Sequence, residues 1–182
     1  MKRFEGREGG ALVVNLFGGP GSGKSTVAAR LFSDLKRRGV EAACPEEHAK
    51  LAIWSGRPWL LDQQVIMIGK IWETLTNLRD KVSVIIVDSP VLLCSVYADG
   101  REPRPFHDLV LDLHRRTPRV NLMVARPSDE AYDPSNRRED APEAIALDAR
   151  ILRLLEAAGE EPSWVTRDDD IAAIADGIGA ML

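Results

Sequence analysis

The residues best suited to chemistry stand in one early run, Leu16 to Arg30, LFGGPGSGKSTVAAR. Gly18, Gly23, Lys24 and Ser25 have the spacing G-x-x-x-x-G-K-[ST], which suits a phosphate cradle. Glycine reaches backbone conformations closed to other residues. Through Gly18, Gly19, Pro20, Gly21, Ser22 and Gly23 the chain can therefore curl with N–H groups pointing inward at phosphate oxygens. Lys24, Ser25 and Thr26 then open a helix whose positive end faces the same anion. In such a cradle Lys24 reaches the β- and γ-phosphates and the Ser25 hydroxyl ligates Mg²⁺.

Three further segments carry candidate chemistry. Asp88 ends the apolar run VSVIIVD, where a carboxylate can hold Mg²⁺ or act as base on an acceptor hydroxyl. The stretch CPEEHAKLAIWSGRPWLLDQQ offers acceptor-side candidates in Glu46, Trp54, Trp59 and Gln63. Acids in a first helical turn also serve the helix dipole, and both tryptophans read first as core residues, with stacking of a base on one of them as the functional alternative. His48 has no second ligand at metal spacing and reads as a packing residue. The polar run after NLMV, with Arg126 and Arg137, reads as a lid over phosphates at about 126–141, because a guanidinium fork binds phosphoryl oxygens two at a time. For the phosphate of a nucleotide acceptor, Arg57 and Arg79 are the available donors.

The elements that must position these residues follow from periodicity. Apolar runs at 11–17, 82–87 and 119–125 read as buried strands, with weaker strands at 40–44 and 163–166. Helical spacing covers 24–38, 46–54, 60–79, 106–116, 142–158 and 169–181. Strands alternating with helices predict an α/β fold with a parallel sheet covered on both faces. Ligands of such sheets bind beyond the carboxyl ends of the strands, where every candidate above falls.

The bulk numbers are those of a globular domain: 182 residues, 45% hydrophobic and 29% charged, with a net charge of −4. No apolar run reaches membrane-span length, and MKRFEGREGG lacks the apolar core of a secretory signal, so the expectation is a cytoplasmic protein. Cys44 and Cys94 read as reduced core residues. Charge is uneven. Residues 1–40 carry eight Lys/Arg against three acids, residues 101–138 eight against six, and residues 139–182 three against eleven. A dedicated nucleic-acid binder usually has a stronger basic footprint, although a local basic face is compatible with this distribution.

The phosphate loop, EEHAK, DQQ, VDSP, YDPSNR and EAIALD occur in an order that resembles the bacteriophage-type P-loop kinases, relatives of the nucleoside and nucleoside-monophosphate kinases. The resemblance runs from about residue 11 to 166. Asn136 stands where that pattern has a Gly before the lid arginine, and Asn tolerates left-handed backbone. The resemblance implies a single P-loop NTPase domain over residues 1–182, a three-layer αβα sandwich with strand order 2-3-1-4-5 and an Arg-bearing lid. It implies ATP and Mg²⁺, with Asp88 at the acceptor hydroxyl or the metal and Arg126 and Arg137 closing from the lid, so that Lys24, Asp88, Arg126 and Arg137 are the expected catalytic residues and Ser25, with Asp88 in its metal role, the expected Mg²⁺ ligands. Some members of that group phosphorylate the hydroxymethyl group of 5-hydroxymethyluracil within DNA, which makes modified DNA the most specific acceptor expected. A free nucleoside or nucleotide acceptor, and a nucleotide-driven switch without transfer, are the competing expectations.

Overall fold

The computed structural model describes residues 10–98, 100–126 and 140–182. Strands β1 (Leu12–Phe17), β2 (Ala42–Ala43), β3 (Val84–Val87), β4 (Arg119–Val124) and β5 (Ser163–Val165) form one sheet in the order β2-β3-β1-β4-β5. Every pairing is parallel. All six residues of β1 are buried because strands flank it on both edges and helices cover both faces.

Helices α1 (Lys24–Arg37), α2 (His48–Trp54), α3 (Gln64–Leu78), α4 (Cys94–Tyr97), α5 (Arg104–Arg115), α6 (Ala141–Ala158) and α7 (Ile171–Ala180) complete the fold. Alternation along the strands sorts the core into two halves. Val13, Phe17, Ile85 and Val87 face a cluster built with residues of α3, α4, α5 and α6. Leu12, Val14, Leu16, Val84 and Ile86 face Val27, Leu31 and Leu35 of α1 and Ile171, Ala175 and Ile178 of α7. The fold is thus the P-loop kinase-type three-layer sandwich, with the expected strand order.

Helix edges differ from the periodic reading where a cap or a proline intervenes. α2 starts at His48, with Glu47 as its N-cap in extended backbone. The run 60–79 divides into a 3₁₀ turn at Pro58–Asp62, started by Pro58, and α3. α6 is closed by a capping box, in which the Asp140 carboxylate accepts from the Glu143 N–H and the Glu143 carboxylate accepts from the Asp140 N–H. Of the two cysteines expected in the core, Cys94 is buried and burial pushes its thiol up to about 12. Cys44 is exposed, because β2 is an edge strand that ends at Ala43.

Candidate nucleotide and acceptor site

The loop between β1 and α1 places Gly18, Gly19, Pro20, Gly21, Ser22 and Gly23 at the carboxyl edge of the central strand, and Lys24, Ser25 and Thr26 open α1. Geometry demands glycine at several of these positions, Gly23 and Gly19 among them. Gly23, the N-cap of α1, has φ 99° in the left-handed region. At Gly19 a Cβ would lie 2.6 Å from the Ala144 carbonyl oxygen and 2.8 Å from Asp148 Oδ1. Lys24 Nζ donates to the carbonyls of Gly18 at 2.8 Å and Gly19 at 3.0 Å, which holds the ammonium across the mouth of the loop.

Asp88 follows β3, the strand beside β1, and meets α1 at the same sheet edge. Ser25 Oγ donates to Asp88 Oδ2 at 2.6 Å. Asp88 is nine-tenths buried, and its Oδ1 has no hydrogen-bond partner among the described residues. A buried carboxylate oxygen without a partner is costly. These two hard oxygen donors fit Mg²⁺, which takes one or two protein ligands and keeps several waters. No group of three or more His, Cys, Asp or Glu able to cage a metal occurs among the described residues.

On the other side of Asp88 lies a cleft of about 370 Å³, counting space open to solvent, with Met67, Ile71 and Leu75 as its apolar wall and Glu46, Glu47 and Asp88 among its lining groups. Glu46, the expected acceptor-side acid, is exposed at the rim. Glu47, which nothing in the sequence singles out from Glu46, also lines the cleft, and its carboxyl is pushed above its usual range by burial and then by the charge of Asp88, against the pull of Lys24 and Lys50. His48, also in the lining, has its Nε2 at 3.0 Å from Thr74 Oγ1, and burial lowers its pKa.

Trp54 and Trp59 are 60% and 53% exposed, so neither is the core residue that the sequence also allowed. Trp54 ends α2 and Trp59 lies in the 3₁₀ turn, both outside the core clusters, with Lys50 Nζ 5.7 Å from the Trp54 ring centre. Gln63 is the exposed N-cap of α3, while the neighbouring Gln64 is buried and its Nε2 donates to the Leu61 carbonyl at 2.7 Å. Arg79, a candidate donor for an acceptor phosphate, packs against Gly10 ahead of β1, at the opposite end of the sheet. Arg57 is exposed, and its Nε donates to Ser55 Oγ at 3.3 Å.

Arg126, two residues past β4, reaches the P-loop. Its Nη1 donates to the Pro20 carbonyl at 2.8 Å, and Nε and Nη2 donate to Asp148 Oδ2 at 3.2 and 3.0 Å. Asp148 also accepts from the Gly19 N–H at 2.5 Å, a contact that the sequence did not signal. Arg137 and all of the expected lid between Arg126 and Asp140 lie outside the described residues.

A family model described as an AAA domain matches residues 13–169, from the first strand past the fifth. The chain belongs to the AAA domain family. The matched span of this AAA domain takes in the P-loop, Asp88, the cleft and Asp148. No curated protein matches its sequence. Among solved structures, the domain is similar to NadR protein in complex with NR, at 19% identity and TM-score 0.60, over 94% of this chain and 50% of that one. It is similar also to NadR in complex with NAD and AMP-PNP, at 18% identity and TM-score 0.59, over 93% and 49%. The deoxyadenosine kinase of M. mycoides, with the products dCMP and dCDP bound, aligns at 13% identity and TM-score 0.51, over 93% and 98%. The chain spans about half the length of the NadR chains. At these identities the likeness is one of fold, and it places the AAA domain among P-loop nucleotide-kinase-like structures. No helix among the described residues is long and apolar enough to cross a membrane.

Proposed function

We propose that the protein is an ATP-dependent kinase that transfers the γ-phosphate to a hydroxyl of a nucleoside-type acceptor carrying no phosphate near that hydroxyl. The observation that carries this reading is the acid-lined cleft beside the Ser25–Asp88 pair. Glu46, Glu47 and Asp88 line it, and no Lys or Arg does among the described residues. Carboxylates repel a phosphomonoester at close range, whereas an uncharged hydroxyl can donate to them.

The P-loop amides and Lys24 hold the β- and γ-phosphates, and Gly18 to Thr26 form the nucleotide site. Ser25 and Asp88 supply the oxygens for Mg²⁺, which when bound neutralises charge on the β- and γ-phosphates. Glu47 accepts the proton of the acceptor hydroxyl. That oxygen bonds to the γ-phosphorus as the bond to the β–γ bridging oxygen breaks, and ADP leaves with the electron pair. Arg126, held at Pro20, contributes positive charge on the phosphate side, and the same role is proposed for Arg137 from its place in the sequence alone.

A second reading, the hydroxymethyl group of 5-hydroxymethyluracil in DNA, is favoured by exposed Trp54 and Trp59, with Lys50 over the Trp54 ring and Arg57 between the two tryptophans. Aromatic faces interleaved with cations suit a base drawn out of a strand.

One assay separates these readings. γ-Labelled ATP is offered with free nucleosides, nucleoside monophosphates, plain DNA and hydroxymethyluracil DNA. Label in free nucleosides supports the first reading. Label confined to hydroxymethyluracil DNA, falling steeply between about 50 and 200 mM salt, supports the second and overturns the first. ATP hydrolysis with no acceptor labelled overturns both.

A further inference from the structure

We infer that Asp148 is a positioning residue of the nucleotide site, whose single carboxylate sets both the first half of the P-loop and the guanidinium of Arg126. The inference rests on nucleotide binding at the P-loop and is independent of the acceptor. The two carboxylate oxygens divide the work. Oδ1 accepts from the Gly19 N–H at 2.5 Å, and Oδ2 accepts from Arg126 Nε and Nη2 at 3.2 and 3.0 Å. The guanidinium is therefore gripped along one edge, and its far nitrogen, Nη1, is directed to the Pro20 carbonyl at 2.8 Å. Nη2 also donates to the Ala144 carbonyl at 3.3 Å, one helical turn before Asp148 on α6. The pair is closely held, each side chain 21% exposed, and the backbone at Gly19 leaves no room for a Cβ.

Two consequences follow. Without Asp148, the flexible Arg126 loses the partner that orients its fork, and the Gly19 N–H loses its acceptor. Without Arg126, a carboxylate is left uncompensated beside a site for a polyanion, and it repels the triphosphate. The two residues therefore act as a unit. Removing both deletes the repulsion that the Arg126 substitution alone leaves behind.

The test is a double-mutant cycle on the full chain, reading the affinity for AMP-PNP with Mg²⁺ by calorimetry and folding by thermal melting. Arg126→Ala is expected to weaken binding roughly tenfold or more, and Arg126→Ala with Asp148→Ala to bind no worse than Arg126→Ala alone, as expected for coupled neighbours. Asp148→Asn keeps an oxygen for Gly19 and removes the charge that orients Arg126. It is expected to melt like the wild type and still bind several-fold more weakly, with Asp148→Glu recovering part of the loss. Losses that multiply in the double variant, or an Asp148→Asn protein that binds AMP-PNP like the wild type, overturn the inference and leave Asp148 a structural tie. A wild-type chain that binds no AMP-PNP overturns the nucleotide reading and this inference with it.

Discussion

Ser25 Oγ donates to Asp88 Oδ2 across 2.6 Å, joining the first turn of α1 to the end of β3. The contact spans the seam between β1 and β3, where the P-loop and the acid-lined cleft meet. If both oxygens serve Mg²⁺, Asp88→Asn lowers kcat by roughly a hundredfold or more, and raised Mg²⁺ restores part of the rate. Near-normal kinetics at ordinary Mg²⁺ would remove Asp88 from the site.

Lys24→Ala is expected to abolish transfer with the fold intact. Its ammonium contacts two loop carbonyls and no core residue, so the melting temperature should barely move. The loss of charge at the transferring phosphoryl group costs about 3 kcal/mol or more of transition-state stabilisation. Retention of more than roughly a tenth of the wild-type kcat, a loss of under about 1.4 kcal/mol, contradicts that role.

Glu47 ties stability to function. Its folded-state pKa lies above the unfolded value, so the folded protein holds the proton more tightly and the charged form weakens folding at neutral pH. Glu47→Gln should therefore melt higher than the wild type at pH 7, an advantage that fades as pH falls and the native carboxyl protonates. The same variant should lose kcat if Glu47 is the base. Asp88→Asn removes a charge that raises Glu47, so the acidic limb of its residual activity should move to lower pH. A Glu47→Gln protein with wild-type kcat returns the base to another group.

A second pH effect sits away from the site. Burial first, then the charge of Arg119, push the imidazole of His114 down to about 4, against the pull of Glu160. Above pH 6.5 the ring is neutral in both states and its burial costs nothing in proton uptake. As pH falls from 6.5 towards 4 the unfolded chain binds a proton that the folded one refuses, so stability declines through that window. Against the upward push of burial, the hydrogen bond and charge of Arg119 lower Glu160 as well, and its contribution is lost only as pH falls below the ordinary carboxyl range. His114→Phe retains a ring edge for Phe17, 6.4 Å away centre to centre, and should flatten the fall in urea-unfolding free energy between pH 6.5 and 4.5. An unchanged slope in the variant assigns the pH dependence elsewhere.

Sequence alone determined those parts of the protein whose conformation is encoded by neighbouring residues. Gly23 with its left-handed backbone, Lys24 and Ser25 specify a phosphate loop within a single turn, because contiguous N–H groups and the start of α1 do the work. Asp88 was legible for a related reason: an apolar run that stops at a carboxylate places that group at the edge of a parallel sheet, where ligands bind. The alternation of strands and helices likewise implied the layered sheet.

Tertiary structure decided what depends on side-chain direction and on distant packing. Glu46 and Glu47 are adjacent in a polar run, and their sequence cannot say which one faces the cleft. That was set by Glu47 becoming the N-cap of α2, which leaves Glu46 at the rim. Trp54 and Trp59 have the composition of core residues and lie outside the core, since the turn between them carries both away from the sheet. Asp148 meets Gly19 across 129 residues of sequence. No local pattern encodes that meeting, because it arises only when α6 packs beside β1 and β4 and brings its first turns against the P-loop.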